Sequence, residues 1–190
     1  MKRCRWVPES DALYQKYHDE EWGVPVHDDQ KLFEFLTLET FQAGLSWKTV
    51  LYKRDNFREA FSGFDFFKVA AYADNEINRL LIDKGIIRNK LKIKATISNA
   101  ACFIRIIEQY GSFNSYIWSF VGGESIQNNW KELSDLPAKT ELSDIISTDL
   151  KKHGFKFVGS TVIYAHMQAT GMVNDHTTDC FRHRQVAILK

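Results

Sequence analysis

Two cysteines and two histidines sit as pairs near opposite ends of the chain. Cys4 and His18 lie near the start, His176 and Cys180 near the end. Two thiolates and two imidazoles make a tetrahedral donor set of the kind structural zinc takes. With all four positions filled by protein, no coordination site is left for a reacting water, so a zinc held there fastens the termini rather than doing chemistry. A spacing of four would put His176 and Cys180 on one face of a helical turn. The alternative is a buried thiol with two surface histidines. A second candidate is Glu39, three residues after Leu36 and seven after Leu32, which places a carboxyl on an apolar helical stripe. Such a group is either half-exposed at the edge of the stripe or a pocket acid waiting for a ligand with donors or positive charge. Trp6, Tyr17, Trp22 and Trp47 lie close to Glu39 or to the proposed metal ligands in sequence, and aromatics around a carboxylate make a slot for a flat base. A third candidate is Lys84–Lys94, with five basic residues and no acidic one. Gly85 and the helix start near Asn89 suit phosphate binding by backbone N–H groups. Lys151, Lys152, His153 and Lys156 form a second, weaker basic patch.

The elements that must position these groups read as helices. Ser10 is expected to cap a helix running to about Trp22, and Asp28 or Asp29 to open the helix that carries Glu39, which Gly44 breaks. Ser46 starts a third, running through Phe61, and Asp65 a short piece. Asp74 caps a helix to Lys84 with Gly85 at its C-cap, and Asn89 caps a long helix beyond it. Another follows the Gly111-Ser112 turn. Residues 122–140 read as loop, and helices are expected over about 141–152 and 159–170. Phe155–Val158 alternates like a strand but is too short to build a sheet. The sum is an all-α protein of about eight helices in one compact domain, 1–190.

The 190 residues carry 25 Lys and Arg against 24 Asp and Glu, so charge must be read segment by segment. At 44% hydrophobic and 26% charged residues, disordered and collagen-like chains are excluded. No apolar run approaches the length of a membrane span, and no apolar stretch follows the basic start, so no secretory signal or membrane partner is expected. Three cysteines do not make a disulfide framework, which points to the reducing cytoplasm. Cys102 reads as a core thiol, and His27, His153, His166 and His183 as surface or locally hydrogen-bonded. No heptad pattern suggests more than a monomer.

Several segments together are highly specific: Tyr17–Pro25, Gln42–Trp47, Gly85–Asn89, Gly154–Gly159 and Val173–His176. Across nearly the whole chain, from Arg3 to Cys180, the sequence resembles the 3-methyladenine DNA glycosylase I family of the helix–hairpin–helix glycosylase superfamily. The resemblance implies an all-helical fold, with its hairpin at about 76–107. It implies a structural zinc on Cys4, His18, His176 and Cys180, and a base pocket of Glu39, Tyr17, Trp47, Trp22 and Trp6. DNA contacts fall at the hairpin, Gly85, Ile87, Arg88, Asn89 and Lys90, and at Gly44 and Leu45, which enter the gap left by a flipped nucleotide. Ala165 stands where the family commonly has a small hydroxyl residue, so one hydrogen bond to the base is lost.

The implied substrate is alkylated double-stranded DNA and the product free 3-methyladenine. Methylation at N3 makes the base cationic and its glycosidic bond labile, so flipping and holding it are the main tasks. Residues 91–107 contain no acid, and no lysine has the burial pattern of a Schiff-base nucleophile. Both absences fit a monofunctional hydrolase, with Glu39 as the catalytic residue. An inactive DNA-binding protein of the same fold is the rival reading. A zinc hydrolase is disfavoured by the filled ligand set.

Overall fold

The computed structural model describes residues 1–189; Lys190, the last residue of the expected domain, lies outside the described residues. Its centre is α2 (Asp29–Gln42), opened by Asp28, whose carboxylate accepts from the Lys31 N–H. Every residue from Leu32 to Phe41 is buried, so this helix is enclosed on all sides. It follows α1 (Ala12–Glu20), which is capped by Asp11 rather than Ser10 and stops short of Trp22. Asp11 accepts from the Tyr14 N–H and the Tyr52 hydroxyl, and pairs with Lys48, which holds its carboxyl down at about 2.

Gly44, at φ +84°, turns the chain out of α2. Ser46 caps the next helix as expected, but that helix is split into α3 (Trp47–Leu51) and α4 (Arg54–Ala60). Next come α5 (Phe66–Ala70), capped by Asp65, and α6 (Asp74–Ile82). Asp74 is the first residue of α6 and not its cap. The Glu76 carboxylate instead accepts from the Ala73 N–H. Gly85 is not a C-cap: α6 ends at Ile82, and Gly85 donates its N–H to Asp83 and offers its carbonyl to Lys53 and Asn56.

Asn89 caps α7 (Lys90–Tyr110), which packs against α5, α8 (Phe113–Ser119), α6 and α2. Phe33, Phe66, Phe103 and Phe113 pack at this junction, with the Phe103 and Phe113 rings stacked at 4.0 Å. The chain closes with α9 (Glu141–Lys152), α10 (Ser160–Ala169) and α11 (Phe181–Val186). Eleven α-helices among the described residues exceed the expected eight, because short helices follow where single ones were read.

Segment 122–140 is more than loop. Ile126–Gln127 (β1) pairs in parallel with Val173–Asn174 (β2), and Leu133–Asp135 forms a 3-10 turn. Phe155–Val158 is not a strand; Phe157 has φ +58° there. His166 is fully buried with neither ring nitrogen partnered, against the expectation of a surface or hydrogen-bonded residue, and burial pushes it down to about 3. Gly171, at φ +71°, lets α10 close on the Val24-Pro25 backbone, where a Cβ would stand 2.4 Å from Pro25 N.

Candidate active site and candidate metal centre

Glu39 sits near the C-terminal end of α2 and is buried, so the pocket reading of this residue holds rather than the half-exposed one. Its Oε2 has no hydrogen-bond partner, and burial alone pushes its carboxyl up to about 8. It lines a cleft of about 270 Å³. Trp6, Tyr17, Trp22, Trp47 and Ala165 line the same cleft, so all six residues expected of a base pocket converge. The Tyr17 and Trp47 rings are 5.1 Å apart, and Trp6 meets Trp22 edge-on at 5.0 Å. Trp47 is the first residue of α3 and lines the cleft together with Glu39 and Gln42 of α2. Its Nε1 is also buried without a partner, so two residues of the cleft lining each carry one unpaired polar atom.

Five lining residues were not anticipated: Tyr14, Gln42, Leu133, Leu136 and Gln168. Tyr14 and Gln42 each lie three positions from an expected residue, Tyr17 and Glu39, so helical spacing could have found them. Gln168 lies three beyond Ala165. Nothing in the sequence pattern marks Leu133 or Leu136. A second cleft, of about 180 Å³, shares Glu39, Gln42 and Ala165 with the first and adds Ala43, Gly44, Leu45, Thr161 and Val162. Gly44 and Leu45 are exposed at its rim. Lys92 is buried, although no lysine was read as having the burial pattern of a Schiff-base nucleophile, and it donates to the Phe41 and Ala43 carbonyls at 3.0 and 2.7 Å. Burial lowers its pKa, but it lines neither cleft; it holds the C-terminal end of α2 and the start of the Gly44 loop.

The turn between α6 and α7 stands apart from both clefts: Gly85, Ile87, Arg88, Asn89 and Lys90 line neither. Arg88, Asn89 and Lys90 are exposed. The Asn89 side chain caps this helix as expected and accepts from the Leu91 and Lys92 N–H groups, which are therefore not free for a phosphate. A second helix–turn–helix pair, α9 and α10 joined through residues 153–159, runs into the clefts directly. Its second helix supplies Thr161, Val162, Ala165 and Gln168 and has no side-chain cap at Gly159. Asn99 clamps that turn by donating to the Lys156 carbonyl and accepting from the Lys156 N–H.

Cys4, His18, His176 and Cys180 are all buried, with ligand atoms within 4.8 Å of one another. Cys4 Sγ and Cys180 Sγ each lie 3.5 Å from His176 Nδ1, and Cys180 Sγ lies 3.4 Å from His18 Nε2. A tetrahedral zinc at about 2.3 Å from sulfur and about 2.0–2.1 Å from nitrogen sets sulfur–nitrogen edges of about 3.5 Å. The four residues therefore fit zinc in donor type and in spacing. The remaining ring nitrogens are committed: His18 Nδ1 donates to Asp19 at 2.8 Å and His176 Nε2 to the Trp22 carbonyl at 2.9 Å. These bonds orient both rings and leave the other nitrogens as ligands. His176 and Cys180 do not share a helix, as their spacing had suggested; they sit in the irregular chain between β2 and α11. Asp175, next to His176, is buried and accepts from Asn128, Trp130, Tyr164 and Gln168, which fixes that segment. Trp22 packs edge-on to His176 at 4.7 Å, so the metal centre and the base cleft share a wall.

A sequence model of the methyladenine glycosylase family matches residues 6–183. The DNA-3-methyladenine glycosylase 1 of Escherichia coli strain K12 is 49% identical over 180 residues, covering 95% of this chain and 96% of its own. A crystal structure of 3-methyladenine DNA glycosylase I superposes with a TM-score of 0.91 at 50% identity, covering 95% of this chain and 98% of that one. A second, a Tyr-to-Phe variant of such a glycosylase in complex with 3-methyladenine, gives 0.92 at 34% identity, with 95% and 97% covered. With the match spanning nearly the whole chain, this protein belongs to the methyladenine glycosylase family.

Proposed function

We propose that this chain is a base-excision repair enzyme that hydrolyses the N-glycosidic bond of 3-methyladenine in alkylated duplex DNA. The observation that carries this reading is Glu39, a buried carboxyl whose Oε2 has no partner, in a cleft walled by aromatic rings. The 6-amino group of adenine is the complementary donor for that oxygen. Tyr17 and Trp47 supply ring faces for the flipped base. Family membership and the relative solved with 3-methyladenine bound support the same assignment.

Burial holds the Glu39 carboxyl protonated at neutral pH. A base made cationic by N3-methylation favours the carboxylate, so its arrival releases that proton and leaves opposite charges in contact. Neutral adenine offers no such gain. When water adds to C1′, the C1′–N9 bonding pair leaves with the base, which departs neutral, and the water proton is released. Glu39 lines both clefts, so its charge also stabilises positive charge developing on the sugar.

Gly44 and Leu45, at the rim of the second cleft, fill the gap in the stack. The basic turn at Gly85–Lys90 contacts the DNA backbone, and the turn before α10, flanked by Lys151, Lys152 and Lys156, guides the strand that carries the flipped nucleotide. Ala165 leaves its part of the cleft without a hydroxyl donor. Zinc held by Cys4, His18, His176 and Cys180 would supply a cross-link between the chain ends, keeping Trp22 against the base cleft. A rival activity, binding of lesions without excision, is separated by one experiment. Incubation with methylated duplex and chromatography of the released bases should give 3-methyladenine and not adenine. A folded protein that binds the duplex but releases no base would overturn the assignment.

A further inference from the structure

The base cleft has one wall that the aromatic residues do not explain. Leu133 and Leu136 reach it from the segment between β1 and α9. Residues i and i+3 eclipse in a 3-10 turn, and the Leu136 N–H closes this one by donating to the Leu133 carbonyl, so the two leucines fall on one side. Asp135 closes the turn by accepting from the Lys131 and Glu132 N–H groups. The segment is docked at several points: Trp130 donates to Asp175, the Thr178 N–H to the Trp130 carbonyl, and Arg5 pairs with Glu132 at 2.7 Å. Leu133 nevertheless stays 41% exposed, so burial in the core is not what its position achieves. Both leucines line the base cleft and neither lines the second cleft by Leu45.

We propose that Leu133 and Leu136 form a specificity wall that reads the N3 position of the base. This rests on the proposed function. In adenine, C6 and N3 lie at opposite corners of the six-membered ring. A base whose 6-amino group donates to Glu39 therefore points N3 away from that carboxyl. Against two leucines, an N3-methyl group makes apolar contact. Unmodified adenine would bury a bare N3 lone pair there with no donor to meet it. A site that strands a polar atom discriminates far more strongly than one that only loses a methyl contact. The wall thus adds selection against normal bases to the selection for positive charge made at Glu39.

The test is equilibrium binding of free 3-methyladenine and free adenine, followed by tryptophan fluorescence, for wild type, Leu136→Ala, Leu133→Ala and Leu136→Asn. Wild type should prefer 3-methyladenine. Each alanine variant should lower that preference at least fivefold. Leu136→Asn, which supplies a donor, should raise affinity for adenine while lowering it for 3-methyladenine, a crossing that lost packing alone does not produce. Equal weakening of both ligands, or no change, overturns the wall while leaving the proposed function standing. A folded wild type that binds neither ligand overturns both.

Discussion

Replacing Glu39 with Gln should make the protein more stable and less active, and the stability gain should depend on pH in a defined way. Burial raises the Glu39 carboxyl from 4.5 to about 8 in the folded chain. Below pH 4.5 folded and unfolded chains both hold the proton, and the shifted titration takes nothing from stability. Between these values the folded chain keeps a proton that the unfolded chain has released, so stability falls as pH rises, and the loss is complete above about 8. At about 1.36 kcal/mol per pH step, the whole interval amounts to roughly 4–5 kcal/mol. A glutamine side chain in the same place is neutral at every pH. The variant's stability relative to wild type should therefore rise by about 2–3 kcal/mol between about pH 5.5 and about pH 7.5. Urea unfolding of both proteins at the two pH values measures it. Titration of the metal ligands is common to both and cancels in the difference. Excision by the variant should fall by about a hundredfold or more. An advantage that is flat with pH, or a variant less stable than wild type at the higher pH, would refute the burial argument for Glu39.

Three further outcomes follow from the same structure. Chelation of the proposed zinc should lower the unfolding midpoint and abolish excision together, with a change in tryptophan emission because Trp22 packs on His176; loss of activity with an unchanged unfolding curve would contradict a structural role. Gly171→Ala should destabilise by more than about 1 kcal/mol, because φ +71° and a Cβ 2.4 Å from Pro25 N are both unfavourable; thermal unfolding reads it, and a neutral result would mean that the α10 junction yields easily. Ala165→Ser should tighten binding of free 3-methyladenine several-fold, in line with about 1 kcal/mol for one new hydrogen bond, and calorimetry would show it; unchanged affinity would mean that the hydroxyl finds no partner on the base.

Much of the site could be read from residue spacing because helices carry it. Glu39 falls on the stripe of Leu32 and Leu36, and Asp28, Ser46 and Asn89 start their helices as their side chains dictate. The four candidate metal ligands were identifiable by type, although their convergence depends on an irregular segment fixed by Asp175. Features made by tertiary docking left no local trace. Leu133 and Leu136 lie in a polar stretch whose turn is held by contacts from both termini. The pairing of β1 with β2 joins segments too short for any periodic signal. Lys92 and His166 are buried by what packs over them, which their own helices do not encode. The α6–α7 turn has less phosphate-binding potential than its composition suggests, because Asn89 spends its side chain on the same N–H groups.

The central claim is that this cleft excises 3-methyladenine and that Glu39 is the group on which excision depends. Single-turnover release of free base from methylated duplex DNA, compared between wild type and Glu39→Gln, tests it most directly. The account predicts 3-methyladenine release by wild type and a loss of about a hundredfold or more in a variant that is folded and more stable. Equal release rates for the two proteins, or no release by a folded, zinc-loaded wild type, would contradict it.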